Sequence, residues 1–153
     1  MKRFMKQALA AAYNGINKGG SPFGACIVKK NKVIVAVHNA VWQTTDITAH
    51  AEIHALRVAC KKLKTIKLTD CEIYSTTEPC PMCFSAIHWA GIKKIYFGTS
   101  ISDVKKLGFS ELTISNKKMK KWGRSPVIIV ADVDRDACIE LLDVWKKGKG
   151  KTY

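Results

Sequence analysis

Apolar side chains recur every four positions at Phe4, Ala8, Ala12 and Ile16, which predicts a first helix over residues 3–18. The run Gly19-Gly20-Ser21-Pro22 ends it. Two apolar stretches, residues 24–29 and 33–38, then flank Lys30-Asn31 and read as a hairpin. A polar stretch, 39–48, separates the hairpin from a second helical pattern over 49–62, with Ala51, His54/Ala55, Val58 and Lys62 at near-helical spacing. Residues 72–76 read as a strand, Pro81 suits the first position of a helix running to Ala90, and 94–98 read as the next strand. Residues 99–126 have no clean period and are expected to hold short helices at most. Pro126 introduces a strand over 127–131, and 134–147 reads as a last helix with Ile139, Leu142 and Trp145/Lys146 on one side. Strands and helices alternate after one early hairpin. The expected architecture is therefore α/β, a mixed five-stranded sheet in a three-layer α/β/α arrangement.

The chain has 153 residues, a length that suits one domain with a core of its own, and no repeat or linker divides it. The start, MKRFMKQALAAAYNG, lacks a continuous apolar run, and no window of about 18 apolar residues occurs elsewhere. A cytoplasmic location is the expectation. Six cysteines there are expected to be reduced. Cys26, Cys60, Cys71 and Cys138 each sit in an apolar context and read as small buried hydrophobes.

The net charge of +14 raises the question of a nucleic-acid partner. Residues 1–100 carry 14 Lys+Arg against 5 Asp+Glu, and 101–153 carry 12 against 7, so the excess runs along the whole chain. Lysine supplies 22 of the 26 cations, although arginine is the better bidentate reader of phosphate. Clusters at 117–124 and 146–151 notwithstanding, a solvated lysine-rich surface is favoured over a dedicated RNA face.

The chemistry concentrates in His50-Ala51-Glu52 and Pro79-Cys80-Pro81-Met82-Cys83. One histidine and two cysteines supply three ligands for a zinc ion, leaving the fourth position to water, as catalytic zinc sites do. Zinc lowers the pKa of such a water toward about 7, and Glu52 is placed to carry its proton to the substrate ring and then to the departing amine. Cys80 and Cys83 lie at a helix start, where thiolate is favoured over thiol. The competing reading is a structural zinc site, for which His54, four residues beyond His50, would be the fourth ligand. Glu52 and the flanking prolines have no task there, which favours catalysis.

The pattern H-x-E…P-C-x-x-C is the signature of zinc nucleobase deaminases. From Pro22 to Gly98 the chain resembles the cytidine deaminase superfamily, in the branch of bacterial guanine deaminases and tRNA adenosine deaminases. The resemblance rests on SPFGA (21–25), Asn39, TAHAEIHALR (48–57), IYSTTEPCPMC (73–83) and SAIHWAGI (85–92). It implies a cytidine-deaminase-like fold, a zinc cofactor and hydrolytic deamination.

Within that branch several segments resemble the guanine deaminases. Pro81-Met82 followed by AIHWA implies that Trp89 lines the base pocket. Leu107-Gly108-Phe109-Ser110-Glu111 resembles a Gly-Phe-acidic-acidic loop whose second acid works beside the catalytic glutamate, with Glu111 standing where aspartate is expected. Tyr153 resembles a terminal tyrosine that closes a neighbouring subunit's pocket, which implies a homodimer exchanging residues 134–153. Guanine presents N1–H and a 2-amino group, a donor edge that an ionised carboxylate accepts from, whereas adenine presents an acceptor at N1.

The expected reaction is thus guanine to xanthine plus ammonia. Zinc is held by His50, Cys80 and Cys83. Glu52 and Glu111 are the catalytic acids, and Phe23, Asn39, Ala51, Trp89 and Tyr153 are the substrate contacts. Phe23 reads equally as pocket floor or core. The alternatives are a tRNA adenosine deaminase, a guanosine deaminase, and a zinc-stabilised nucleic-acid-binding module without turnover. The loop TSISDVKKLGFSE (99–111) lacks the Gly/Ala-rich segment associated with the tRNA enzymes.

Overall fold

A computed structural model describes residues 1–153 and resolves the chain into seven helices and five strands. The order is α1 (Lys2–Asn17), β1 (Gly24–Lys29), β2 (Lys32–His38), α2 (Val41–Thr44), α3 (Ala51–Leu63), β3 (Cys71–Thr77), α4 (Pro81–Ala90), β4 (Lys94–Thr99), α5 (Ile101–Lys105), α6 (Asn116–Trp122), β5 (Ile128–Val130) and α7 (Arg135–Lys147). The strands form one sheet in the order β2-β1-β3-β4-β5, antiparallel where β1 meets β2 and β3, and parallel from β3 through β5. The mixed five-stranded α/β architecture expected from the pattern is the one found.

Side-chain alternation assigns the two faces. Cys26, Val28, Tyr74 and Tyr96 point to one side, where they pack under Phe4, Met5, Ala8 and Leu9 of α1 and Cys138 and Leu141 of α7. Ala25, Ile27, Ile73, Ile95 and Phe97 point to the other and meet Ala55, Leu56 and Ala59 of α3 and Phe84 and Ile87 of α4. Each fully buried aliphatic side chain there contributes about 1.5–3 kcal/mol relative to exposure. Because residues on one face of β3 alternate, Ser75 and Thr77 share the side of Ile73 and so face α3. No helix is long and apolar enough to cross a membrane.

The differences from the expected elements have local causes. The hairpin turn uses Lys30 (φ 46°) and Asn31 (φ 62°), both left-handed, as two-residue hairpin turns require. The polar stretch 39–48 contains the short helix α2, started by Asn39, whose Oδ1 accepts from Val41 N at 3.1 Å. The segment 99–126, expected to hold short helices at most, contains α5 and α6, capped by Ser100 and Ser115 through their hydroxyls. The second long helix starts at Ala51 rather than Ala49, leaving His50 extended at its N-cap.

Candidate metal centre and substrate cavity

Parallel strands deliver their following loops to one edge of the sheet, the usual place for a ligand site in such folds. Here β3 runs out at Thr77 into Glu78-Pro79-Cys80, and Pro81 begins α4 immediately afterwards. His50 and Cys80 occupy equivalent places, each the extended residue just before a helix, and Cys83 follows one turn into α4. His50 Nδ1 lies 3.6 Å from Cys80 Sγ and 3.6 Å from Cys83 Sγ. All three ligand atoms fall within 4.8 Å of one another. Zinc bonded tetrahedrally to nitrogen and sulfur at its usual lengths separates the two by about 3.6 Å, so the donor set fits that ion. His54 does not join it. Its Nδ1 lies 3.2 Å from the His38 carbonyl instead, and the cluster keeps three protein ligands.

The electrostatics of the cluster match a site built for a cation. Cys80 is pulled down to about 4, first by the hydrogen bond from Cys83 and then by His50. Cys83, hydrogen-bonded to Cys80 and buried against Glu52, is pushed up. Burial opposes the charged form of His50, but Cys80, Glu52 and Glu111 together outweigh it and raise its pKa.

Glu52 sits in the first turn of α3, buried, with Oε1 accepting from Ser75 Oγ at 2.7 Å and Oε2 3.5 Å from Cys83 Sγ. Burial raises its carboxyl above the ordinary range, with His50 working against the shift. A carboxylate held by one oxygen, with the other beside the metal ligands, is arranged to take up and release a proton there.

An inner recess beside this cluster is walled by Phe23, Asn39, Glu52, Thr77, Glu78 and Glu111. Sharing His50, Cys80 and Glu111 with it is an outer cavity of about 380 Å³ bounded by Ile47, Met82, Leu112 and Tyr153. Glu111 borders both spaces, and its Oε2 is fully buried without a hydrogen-bond partner. Burial, then Cys80 and Glu52, push its carboxyl up to about 7. No lysine or arginine lines either space, despite the net charge of +14.

Asn39 is fully buried and donates from Nδ2 to the Tyr153 hydroxyl at 2.7 Å. The tail that brings Tyr153 there bends across Trp145, where a Cβ on Gly150 would come 2.1 Å from the indole, so only glycine fits. Phe109 then packs between Tyr153, Trp145 and Phe23 at centroid distances of 5.5, 5.1 and 5.0 Å. Phe23 is thereby both core and recess wall.

Two expected substrate contacts fall elsewhere. Ala51 is fully buried in the main core and lines neither space. Trp89 is 79% exposed, on a groove with Ile53, Leu56 and Ile66 away from the metal cluster of its own chain. The reason is helical phase. Cys83, Phe84, Ile87 and Ala90 make the buried face of α4, and Trp89 lies off it. Conversely, Ser75, Thr77 and Glu78 belong to the site and were not singled out from the sequence. For Ser75 and Thr77 their place on the inward face at the end of β3 was the available signal; Glu78 follows the strand and carries no such signal.

Residues 1–99 match the family model of the cytidine and deoxycytidylate deaminase zinc-binding region. The chain belongs to this deaminase family. Among its relatives, guanine deaminase of Bacillus subtilis is 44% identical over 109 residues, 71% of this chain and 70% of that protein. A tRNA-specific adenosine deaminase of Buchnera aphidicola is 36% identical over 146 residues, covering 95% of this chain and 93% of the relative. A solved guanine deaminase from Nitrosomonas europaea superimposes with a TM-score of 0.87 at 28% identity, covering 95% of this chain and 84% of that one. The deaminase is thus an aminohydrolase of a zinc-binding family, with relatives acting on a free purine and on tRNA.

Proposed function

We propose that this deaminase converts guanine and water to xanthine and ammonia. What supports guanine is Glu111, whose buried, unpartnered Oε2 stands at the recess beside Glu52 and the metal ligands. An ionised Glu111 would accept from guanine N1–H and the 2-amino group, satisfying an oxygen that otherwise has no partner. Adenine keeps an amino donor but presents an acceptor at N1, so the carboxylate would make one contact fewer and face a lone pair.

His50 through Nδ1 and Cys80 and Cys83 through sulfur would hold the zinc, which when bound supplies an acidified water at neutral pH. Glu52 moves two protons from the attacking water, the first to the ring nitrogen next to C2, where it stays, and the second to the departing amine, while the water oxygen becomes the new ring carbonyl and the C2–N bond to the amine breaks. Ser75 keeps that carboxylate in one orientation throughout. Asn39, on the recess, and Tyr153, on the outer cavity, orient the base, and Phe109 and the apolar outer rim exclude bulk water.

The cation-free walls also favour an uncharged base over a phosphate-bearing one, since a phosphate would lie beside carboxylates without a counter-charge. Tyr153 closes the cavity of its own chain here, and exchange of residues 134–153 between two copies would make the same contact across a homodimer. The deciding experiment offers zinc-loaded protein guanine, guanosine, cytosine, adenine and an adenosine-wobble tRNA separately. Xanthine from guanine with the tRNA untouched is the expected result. Inosine in the tRNA with inert free bases would overturn the guanine assignment, and binding of RNA without any turnover would leave a binding module.

A further inference from the structure

Glu78 is an acidic residue buried at 7% exposure, and nothing so far accounts for it. Its backbone N–H donates to the Thr99 carbonyl at 2.7 Å, fixing it against the end of β4. Its carboxylate then spans two distant points of the chain. Oε2 accepts from Ile101 N at 3.2 Å and Oε1 from Asn116 N at 2.7 Å. These are the first residues of α5 and α6, so one side chain grips both ends of the segment 101–116. A third tie lies alongside, because Asn116 Nδ2 donates to the Pro79 carbonyl at 2.6 Å. Between the two gripped ends lie Phe109, Ser110 and Glu111.

Within that segment little else fixes residues 106–115. They lack regular structure, and the Glu111 carboxylate has one oxygen without any partner of its own. The loop is therefore held mainly from its ends and by Phe109 in the core. The residue holding the ends is also the one that leads directly into Pro79-Cys80, the start of the metal-binding turn. We infer that Glu78 is a positioning residue that clamps the Glu111 loop to the metal-binding turn, setting where the Glu111 carboxylate meets the substrate. This inference rests on the proposed role of Glu111.

Glutamine at position 78 tests it, because an amide keeps one accepting oxygen and leaves one of the two buried backbone donors without a partner. The measurements are kcat and KM for guanine, zinc content, and hydrogen exchange across 101–116, made on zinc-loaded wild type, Glu78→Gln, Glu78→Asp, Glu111→Gln and the Glu78→Gln/Glu111→Gln double variant. The expected result for Glu78→Gln is full zinc occupancy, faster exchange at 101–116, and a KM raised about tenfold with a smaller change in kcat. Glu78→Asp, which keeps the charge on a shorter arm, recovers part of the KM. In the Glu111→Gln background the Glu78→Gln change adds less than about twofold, since the two act through one contact.

Equal losses in both backgrounds, or unchanged exchange in Glu78→Gln, overturn the inference. A Glu111→Gln variant with wild-type kinetics instead refutes the role of Glu111 in the substrate reading, and the exchange data then decide the clamp by themselves. If Glu78→Gln does not fold, Asn116→Ala removes the tie to Pro79 and is expected to shift exchange and KM in the same direction, by less. No shift in that variant also counts against the clamp.

Discussion

Asn39 Nδ2 and the Tyr153 hydroxyl are joined by a 2.7 Å hydrogen bond that spans 114 positions of the chain. The other end of the same amide, Oδ1, accepts from Val41 N, so Asn39 is held at both ends and presents a fixed edge to the recess. Tyr153→Phe keeps the ring against Phe109 and removes only the hydroxyl, leaving a buried N–H without its partner. That costs about 1–3 kcal/mol. The expected outcome is a fall in kcat/KM for guanine of about tenfold or more with zinc content unchanged. Gly150→Ala, by pushing the tail off Trp145, should act in the same direction.

Glu52→Gln keeps the shape of the buried side chain and its contact with Ser75 while removing the group that carries the proton. Zinc content by metal analysis should match wild type, and turnover should drop by about 10²–10⁴-fold. Full activity in this variant would refute the proton-carrier assignment.

The acid side of the pH profile should carry contributions from Glu111 and Glu52, both of whose carboxyls are raised first by burial. Glu111 accepts from both guanine donors at once only when ionised, and its carboxyl is raised from 4.5 toward about 7 by burial, Cys80 and Glu52. Bound zinc offsets the push from Cys80, so the Glu111 part of the limb falls between those two values, with kcat/KM rising as pH rises. Glu111→Gln should lower kcat/KM roughly 10–100-fold at neutral pH and remove the Glu111 part of that limb, leaving the part that belongs to Glu52. Rate profiles between pH 4.5 and 8 on both proteins check the sign.

Chelation should separate metal from fold. The two hydrophobic clusters pack without involving the metal, so far-UV circular dichroism should persist while deamination stops. In the metal-free protein Cys80 is a thiolate at neutral pH, held down to about 4, whereas Cys26 and Cys138 are buried and pushed up to about 12. Brief iodoacetamide treatment followed by peptide mapping should label Cys80 and spare the other two, and zinc should protect Cys80. Labelling of Cys26 at the rate of Cys80 would contradict this.

What the sequence determined by itself was whatever depends on short stretches of chain. Helical and strand periods report burial on one face, so the long helices and five strands were legible in order and nearly in bounds. The metal ligands were legible for a related reason, since Cys80 and Cys83 are one helical turn apart and His50 and Glu52 share the start of another helix. Such spacings fix geometry wherever the segment folds. The short helices α2, α5 and α6 have no bounds in the pattern because hydrogen bonds of Asn39, Ser100 and Ser115, rather than a repeating apolar stripe, fix where they start.

Only the tertiary structure decided which groups from distant segments share the cavity. Glu78 grips Ile101 and Asn116 because β3 and β4 are parallel neighbours whose ends open at the same edge of the sheet. Tyr153 reaches Asn39 because the tail bends over Trp145. Trp89 was placed at the pocket from its neighbours in sequence, yet the rotation of α4 about its own axis turns it outward once Ile87 and Phe84 enter the core. These outcomes follow from strand order and helix phase, which packing sets for the whole domain at once and no local run of residues records.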